Sequence, residues 1–259
     1  MKCYGILVVY YPNNRGRAET QFRALLGSLG CELEVIVVNN GDDIHPGDII
    51  GDNSHMEFSG WDRGLQEIEV AEDDLLVFAN DTFCVRHTWN VLVQRRYLKA
   101  LHIVRVKCGA AICGEVSNFN QTYGLLGVSA NFWIRTHLFA LNGKAIKKLG
   151  KVSLSEADLN SMVSLDNDGR LVWSDSVSLN LRDRIDGWLY PASGEFGWYG
   201  AKLVSKEQKL KKARSILNEK WLSATCAEND VEVVDCSKHM LFKFIGRLRS
   251  KFNQVFLKR

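Results

Sequence analysis

Apolar runs alternate with breaks rich in glycine, asparagine and aspartate along the first hundred residues of this chain. YGILVVYY, residues 4–11, is apolar almost throughout, the pattern of a strand buried on both faces. Residues 16–29 carry Phe22, Leu25, Leu26 and Leu29 at helical spacing and meet Gly30, a stop signal. EVIVVNNGDD, residues 34–43, is a second buried strand that breaks into a turn. Residues 61–68 read as a helix. LLVFAND, residues 75–81, is a third short strand, and residues 88–100 are a helix capped by Thr88. This alternation predicts an α/β sandwich with a mostly parallel sheet. Ligands of such sheets bind beyond the carboxyl ends of the strands. Those ends are Tyr10-Tyr11-Pro12, Asn39-Asn40-Gly41-Asp42 and Asn80-Asp81-Thr82.

The second half is less regular. Residues 128–134 read as a strand turning into a short helix that stops at Gly143. SLSEADLNSMV, from Ser153, is helical. NDGRLVWSDS is a turn and strand, and DGWLYPASGEFGWYG is an aromatic, glycine-rich loop. Residues 206–224 form a helix with Leu210, Ile216, Leu217 and Leu222 as its apolar positions. From residue 238 to 259 there are seven Lys/Arg and no acid. Leu241, Phe244, Ile245, Leu248, Phe252, Val255 and Phe256 recur there at helical spacing. Basic amphipathic helices of this kind lie in the interface of an anionic bilayer. Packing on the protein's own body, or an oligomer contact, are the alternatives.

The composition changes this picture little. The 259 residues are 46% hydrophobic and 24% charged with a formal charge of +3, an ordinary globular balance that does not argue for nucleic acid. The apolar start MKCYGILVVYY lacks a cleavage site and reads as a strand rather than a signal peptide. No run approaches the ~20 apolar residues of a spanning helix. The seven cysteines include no CxxC pair, which suits unpaired thiols in a reducing cytosol better than a zinc site or a disulfide framework.

No GxGxxG, GxxxxGK[ST], HExxH or GxSxG occurs, so the chemistry rests on carboxylates. Asp81, at a strand end beside Asn80 and Thr82, suits a hard cation held through oxygen. Manganese or magnesium there would neutralise charge on a departing diphosphate. The other reading is that Asp81 caps the following helix. Glu156 and Asp158 lie two residues apart and do not share a helix face. One of them can therefore enter a cleft as a general base. The bland reading is an acidic first helix turn after Ser155.

In order and spacing, VVNNGDD, DNSHMEFSGWDRGL, VFANDTF and Glu156-Ala157-Asp158-Leu159 resemble the A-type nucleotide-sugar glycosyltransferases, close to the bacterial rhamnosyltransferase-like group of family two. The resemblance spans roughly the first 160 residues. It implies a three-layer α/β/α sandwich with a mostly parallel sheet. Tyr10, Tyr11 and Pro12 would line the nucleobase and ribose. Asn40 and Asp42 would bond the base or ribose edge, and Asp62 and Arg63 would lie near the sugar diphosphate. Asn80 and Asp81 would meet the ribose and a manganese or magnesium ion. Glu156, with Asp158 as the second acid, would deprotonate the acceptor hydroxyl. Trp133 and Trp198 would stack on acceptor sugars, with core packing the alternative for both. Three departures stand out: Ala79 occupies the place of a first metal-motif acid, Asp62 that of an asparagine, and Glu156 that of a more usual aspartate.

The resemblance implies a donor half at about 1–110 and an acceptor half at about 111–225, and the basic amphipathic pattern adds a membrane-associating segment at 226–259. The implied activity is inverting sugar transfer from a nucleotide-diphosphosugar to a glycan acceptor, lipid-linked, in surface polysaccharide or O-antigen synthesis. The implied location is the inner face of the cytoplasmic membrane, without nucleic acid. The alternatives are a non-catalytic nucleotide-sugar or glycan-binding protein of the same fold, and a nucleotidyltransferase. The last is disfavoured because its glycine- and lysine-rich N-terminal loop is missing.

Overall fold

A computed structural model describes residues 1–192, 197–198 and 204–237. In chain order the elements are β1 (Lys2–Val9), α1 (Pro12–Gly27), β2 (Glu32–Asn39), β3 (Ile49–Ile50), α2 (Glu57–Leu65), β4 (Leu75–Asn80), α3 (Val91–Val106), β5 (Ala111–Leu125), β6 (Val128–Asn142), α4 (Gly143–Leu149), α5 (Glu156–Met162), β7 (Val163–Leu165), β8 (Leu171–Trp173), α6 (Leu179–Leu189), α7 (Lys206–Glu228) and β9 (Glu232–Asp235). Seven strands form one sheet in the order β3-β2-β1-β4-β6-β5-β9, and β7 pairs with β8 apart from it. Within the large sheet only β6 runs against the rest.

Alternate residues of the buried strands feed two cores. Cys3, Leu7 and Val9 of β1 pack with Phe22 and Leu26 of α1 and Tyr97 and Leu101 of α3. Tyr4, Ile6 and Val8 pack on the opposite side with Phe58 and Trp61 of α2 and Leu217 and Trp221 of α7. Helices therefore cover both faces. A continuous apolar run such as ILVV makes sense only in a strand covered twice. The order reverses at β1: β2 lies to one side of it and β4 to the other, both parallel to it. Such a reversal opens a crevice at the carboxyl ends.

Several sequence-based boundaries shift. α1 starts at Pro12, not residue 16, because proline is favoured at a first helical position. α2 starts at Glu57 and ends at Leu65 instead of running from 61 to 68. The cap of α3 is Asn90, whose side chain accepts from Leu92 N and Val93 N, and not Thr88. α5 is confined to Glu156–Met162.

The largest correction is at 128–142. The expected strand-then-helix is one 15-residue strand, β6, hydrogen-bonded to β5 over nearly its whole length. Its second half, HLFALN, is fully buried between β4 and β5, and an apolar run buried on both sides carries no periodicity to separate strand from helix. Leu126 and Gly127, both at positive φ, close this hairpin in two residues.

The boundary expected after residue 225 falls inside α7, where Cys226 is buried. Residues 232–235 then form β9, paired to β5. The body thus continues to residue 237, and the basic amphipathic stretch at 238–259 lies outside the described residues. No described helix is long and apolar enough to cross a membrane. All seven cysteines are unpaired, and five of them are buried.

Candidate functional site

At the carboxyl edge the structure brings together Tyr10, Tyr11 and Pro12 after β1, Asn40 after β2, and Asn80 and Asp81 at the end of β4. Tyr10 is 45% exposed and stands edge-on to Tyr11, ring centroids 4.9 Å apart. Tyr11 is the N-cap of α1 and Pro12 its first residue. Asp81 is buried, and its Oδ2 accepts from the backbone N–H of Tyr10 at 2.9 Å and of Tyr11 at 2.6 Å. Burial pushes the Asp81 carboxyl above its ordinary pKa, against the pull of those two N–H donors. Asn80 Oδ1 accepts from Thr82 N and Oγ1, which fixes the turn that leaves β4.

The loop after β2 is held by a buried ion pair that the sequence did not reveal. Asp48 binds the Arg15 guanidinium through both oxygens at 2.6 Å and also accepts from Asn39 Nδ2 and His45 N. Asn40 turns inward instead. Its Nδ2 donates to Met56 O, while its buried Oδ1 has no hydrogen-bond partner among the described residues. Asp42, expected beside Asn40, is an exposed loop residue.

Met56 precedes α2 at φ 55 and ψ −132, a backbone region costly for a side chain with a Cβ. From that corner α2 runs close under the sheet. A Cβ on Gly60 would lie 2.6 Å from Val8 Cγ2, and one on Gly64 would lie 2.6 Å from Ile6 Cγ2. Two glycines one turn apart therefore set the depth of the helix, and Trp61 between them donates its Nε1–H to Ala79 O.

The outer side of α2 faces α5 across an open cleft of about 410 Å³, lined among others by Asp52, His55, Ser59, Asp62, Arg63 and Glu156. Asp62 accepts from Ser153 Oγ, and burial pushes its carboxyl upward. Burial draws the His55 imidazole down in pKa, while the nearby Glu156 carboxylate draws it up. Arg63 pairs with Glu67 at 2.6 Å. Glu156 opens α5, which places it at the cleft.

Asp158 serves the helix instead. It is the third-position partner in a capping box with Ser155 and lies 3.3 Å from Lys151 Nζ. The hydrogen bond from Ser155 Oγ holds its exposed carboxyl below the ordinary value. Glu156, expected in a cleft, and Asp62 and Arg63, expected near the sugar diphosphate, line the same cleft, and His55, Asp52 and Ser59 join them unforeseen. A histidine two residues before the start of α2 was the available signal.

Trp133 and Trp198 do not line this cleft. Trp133 is half-buried, with Lys220 Nζ 4.0 Å and Arg184 Cζ 5.2 Å from its ring centroid. Trp198 is half-buried 6.4 Å from Trp188, and its N–H donates to Trp188 O. Both sit in a cation- and aromatic-rich surface of the second half.

The residues around Asp81 fit a divalent cation poorly. Ala79 is a core residue, and the Asp81 Oδ2 is already engaged by two amides. Glu57, from the first turn of α2, is a second carboxylate in electrostatic reach. No group of three or more His, Cys, Asp or Glu among the described residues is placed to hold a metal ion. The chain matches no protein-family model, no curated protein and no solved structure.

Proposed function

We propose that this chain is an inverting glycosyltransferase that moves a sugar from a nucleotide-diphosphosugar to a hydroxyl of a glycan acceptor. The observation that carries the reading is the convergence of Tyr10, Tyr11, Asn40, Asn80 and Asp81 at the strand-order reversal, next to a cleft bearing Glu156. Tyrosines and amides suit a base and ribose, and a carboxylate in a cleft suits an acceptor hydroxyl. Glu156 takes the hydroxyl proton as the oxygen–anomeric carbon bond forms. The bond from that carbon to the diphosphate breaks on the opposite face, and the nucleoside diphosphate leaves.

The basic amphipathic stretch at 238–259 supports a lipid-linked acceptor met at the inner face of an anionic membrane, as in surface polysaccharide or O-antigen assembly. Engagement of Asp81 by backbone amides favours a second reading, a nucleotide-sugar or glycan-binding protein without catalysis.

Incubation of the full chain with a panel of nucleotide-sugars and release of nucleoside diphosphate tests both. Release that Glu156→Gln abolishes, with nucleotide binding retained, supports transfer. Binding without release in the wild type, with any acceptor offered, supports the second reading. Release undiminished in Glu156→Gln removes Glu156 as base.

A further inference from the structure

The poor fit of Asp81 to a cation leaves open what meets the negative charge of a diphosphate at this edge. We propose that the Arg86 guanidinium, rather than a divalent metal ion, binds and neutralises that diphosphate; the inference rests on the nucleotide-sugar reading above.

Arg86 is exposed on the segment between β4 and α3, and its Cζ lies 4.7 Å from the centroid of the Tyr11 ring. A cation over a tyrosine face is both attracted and oriented. The segment that carries it is built to a fixed shape. Arg86 N and Val85 N both donate to Thr82 O, Asn80 ties down Thr82, and Phe83 and Cys84 are buried. Farther along, Trp89 Nε1 donates to Gln21 of α1 at 3.0 Å. The guanidinium thus stands at the strand-order reversal, above the residue that follows the exposed Tyr10 and within electrostatic reach of Asp81.

Its chemistry matches the task. A planar fork of N–H donors pairs bidentately with phosphate oxygens. Charge that develops on a departing diphosphate can be stabilised by a cationic donor held beside it, without a bound ion. Asp81 then acts on the backbone: it fixes the amides of Tyr10 and Tyr11 and so the ring on which Arg86 rests. Ala79 in place of a second acid follows from the same division of labour, because that strand position is filled by core packing and its carbonyl by Trp61.

The test uses the full chain and measures binding of UDP, dTDP and GDP by calorimetry, in excess EDTA and in excess manganese. At least one diphosphate is expected to bind with the same affinity in both. Arg86→Ala is expected to weaken it by about tenfold or more, with Arg86→Lys in between. The matching nucleoside is expected to bind wild type and Arg86→Ala alike. The ligand-free melting temperature of Arg86→Ala is the check that the exposed substitution leaves the fold intact. A manganese requirement, or an Arg86→Ala protein that binds as the wild type does, overturns the proposal and leaves the nucleotide-sugar reading standing. If none of the three diphosphates binds the wild type in either condition, the nucleotide-sugar reading falls and takes this inference with it.

Discussion

The Asp81 carboxylate reaches from the end of β4 to the end of β1, with its Oδ2 2.9 Å from Tyr10 N and 2.6 Å from Tyr11 N. The same residue's backbone N–H donates to Val8 O at 2.9 Å. One residue thus continues the β1–β4 ladder by a step and anchors the entry to α1. This makes Asp81 a structural clamp before it is anything else.

Asp81→Ala is therefore expected to destabilise the fold by about 2 kcal/mol, because two partly buried amides lose their acceptor. Asp81→Asn keeps an acceptor oxygen and is expected to retain most of that stability. Urea denaturation of both variants, compared through their midpoints, checks the order. Equal losses in the two would mean that charge rather than acceptance holds the corner.

Asp48 sets a pH dependence of definite sign. Burial pushes its carboxyl up, but the hydrogen bonds from Arg15, His45 N and Asn39 outweigh this and bring it down to about 2. A carboxyl lowered in the folded state binds fewer protons there than in the unfolded chain. Its stabilisation is therefore complete above about pH 4 and is lost as pH falls toward about 2. The melting-temperature gap between wild type and Asp48→Asn is expected to be widest near neutrality and to narrow over that acid window. Asp62 and Asp81, raised by burial, act in the opposite sense, so acidification costs them nothing.

The alternation of strands and helices in the first hundred residues was legible because each buried strand is a short apolar run ended by a polar break. The carboxyl-edge cluster followed from the same breaks. Asp48 was not legible, because its worth depends on Arg15, 33 residues earlier and in another element. Asp158 misled for a local reason: an acid three residues after a serine suits a capping box as well as a cleft, and only the helix start separates the two. β6 was misread where HLFALN is buried on both faces and so loses its period.

The stretch SGWDRG owes both glycines to packing, which gives a sharp expectation. Gly60→Ala and Gly64→Ala each drive a methyl into Val8 or Ile6 at 2.6 Å and are expected to lower stability by about 2 kcal/mol. Helix propensity alone predicts a gain of about 1 kcal/mol for each. The sign of the change in thermal unfolding therefore decides between packing and propensity. Because α2 also carries the cleft residues Ser59 and Asp62, both variants are expected to weaken nucleotide binding.

Residues 238–259 are expected to carry the membrane contact. A chain ending at residue 237 retains every described strand and helix. It is expected to bind nucleotide as the full chain does, yet to stay in the supernatant with vesicles rich in anionic lipid. High salt is expected to release the full chain from the same vesicles, because the attraction is largely electrostatic. A truncated chain that still pellets places the contact elsewhere, and the cation- and aromatic-rich surface around Arg184 and Trp188 becomes the next place to look.

Glu219 and Lys220 give the last expectation. Lys220 is buried, its Nζ 2.7 Å from Glu219 Oε1 and 4.0 Å from the Trp133 ring centroid, and Glu219 also accepts from Thr136 N and Oγ1. Burial lowers the Lys220 pKa while Glu219 raises it, so removing the acid leaves a buried ammonium beside the Trp133 face and within electrostatic reach of the Arg184 and Lys212 cations. Glu219→Ala is expected to cost about 3 kcal/mol or more, since Thr136 loses its acceptor as well. Lys220→Met is expected to cost less, because Glu219 keeps its two bonds to Thr136 and a flexible apolar side chain fills the lysine's space. In the double variant the two losses are expected not to add, with a coupling of about 1 kcal/mol or more in a double-mutant cycle. Strict additivity would mean that the pair is bridged by solvent and that Thr136 alone gives Glu219 its worth.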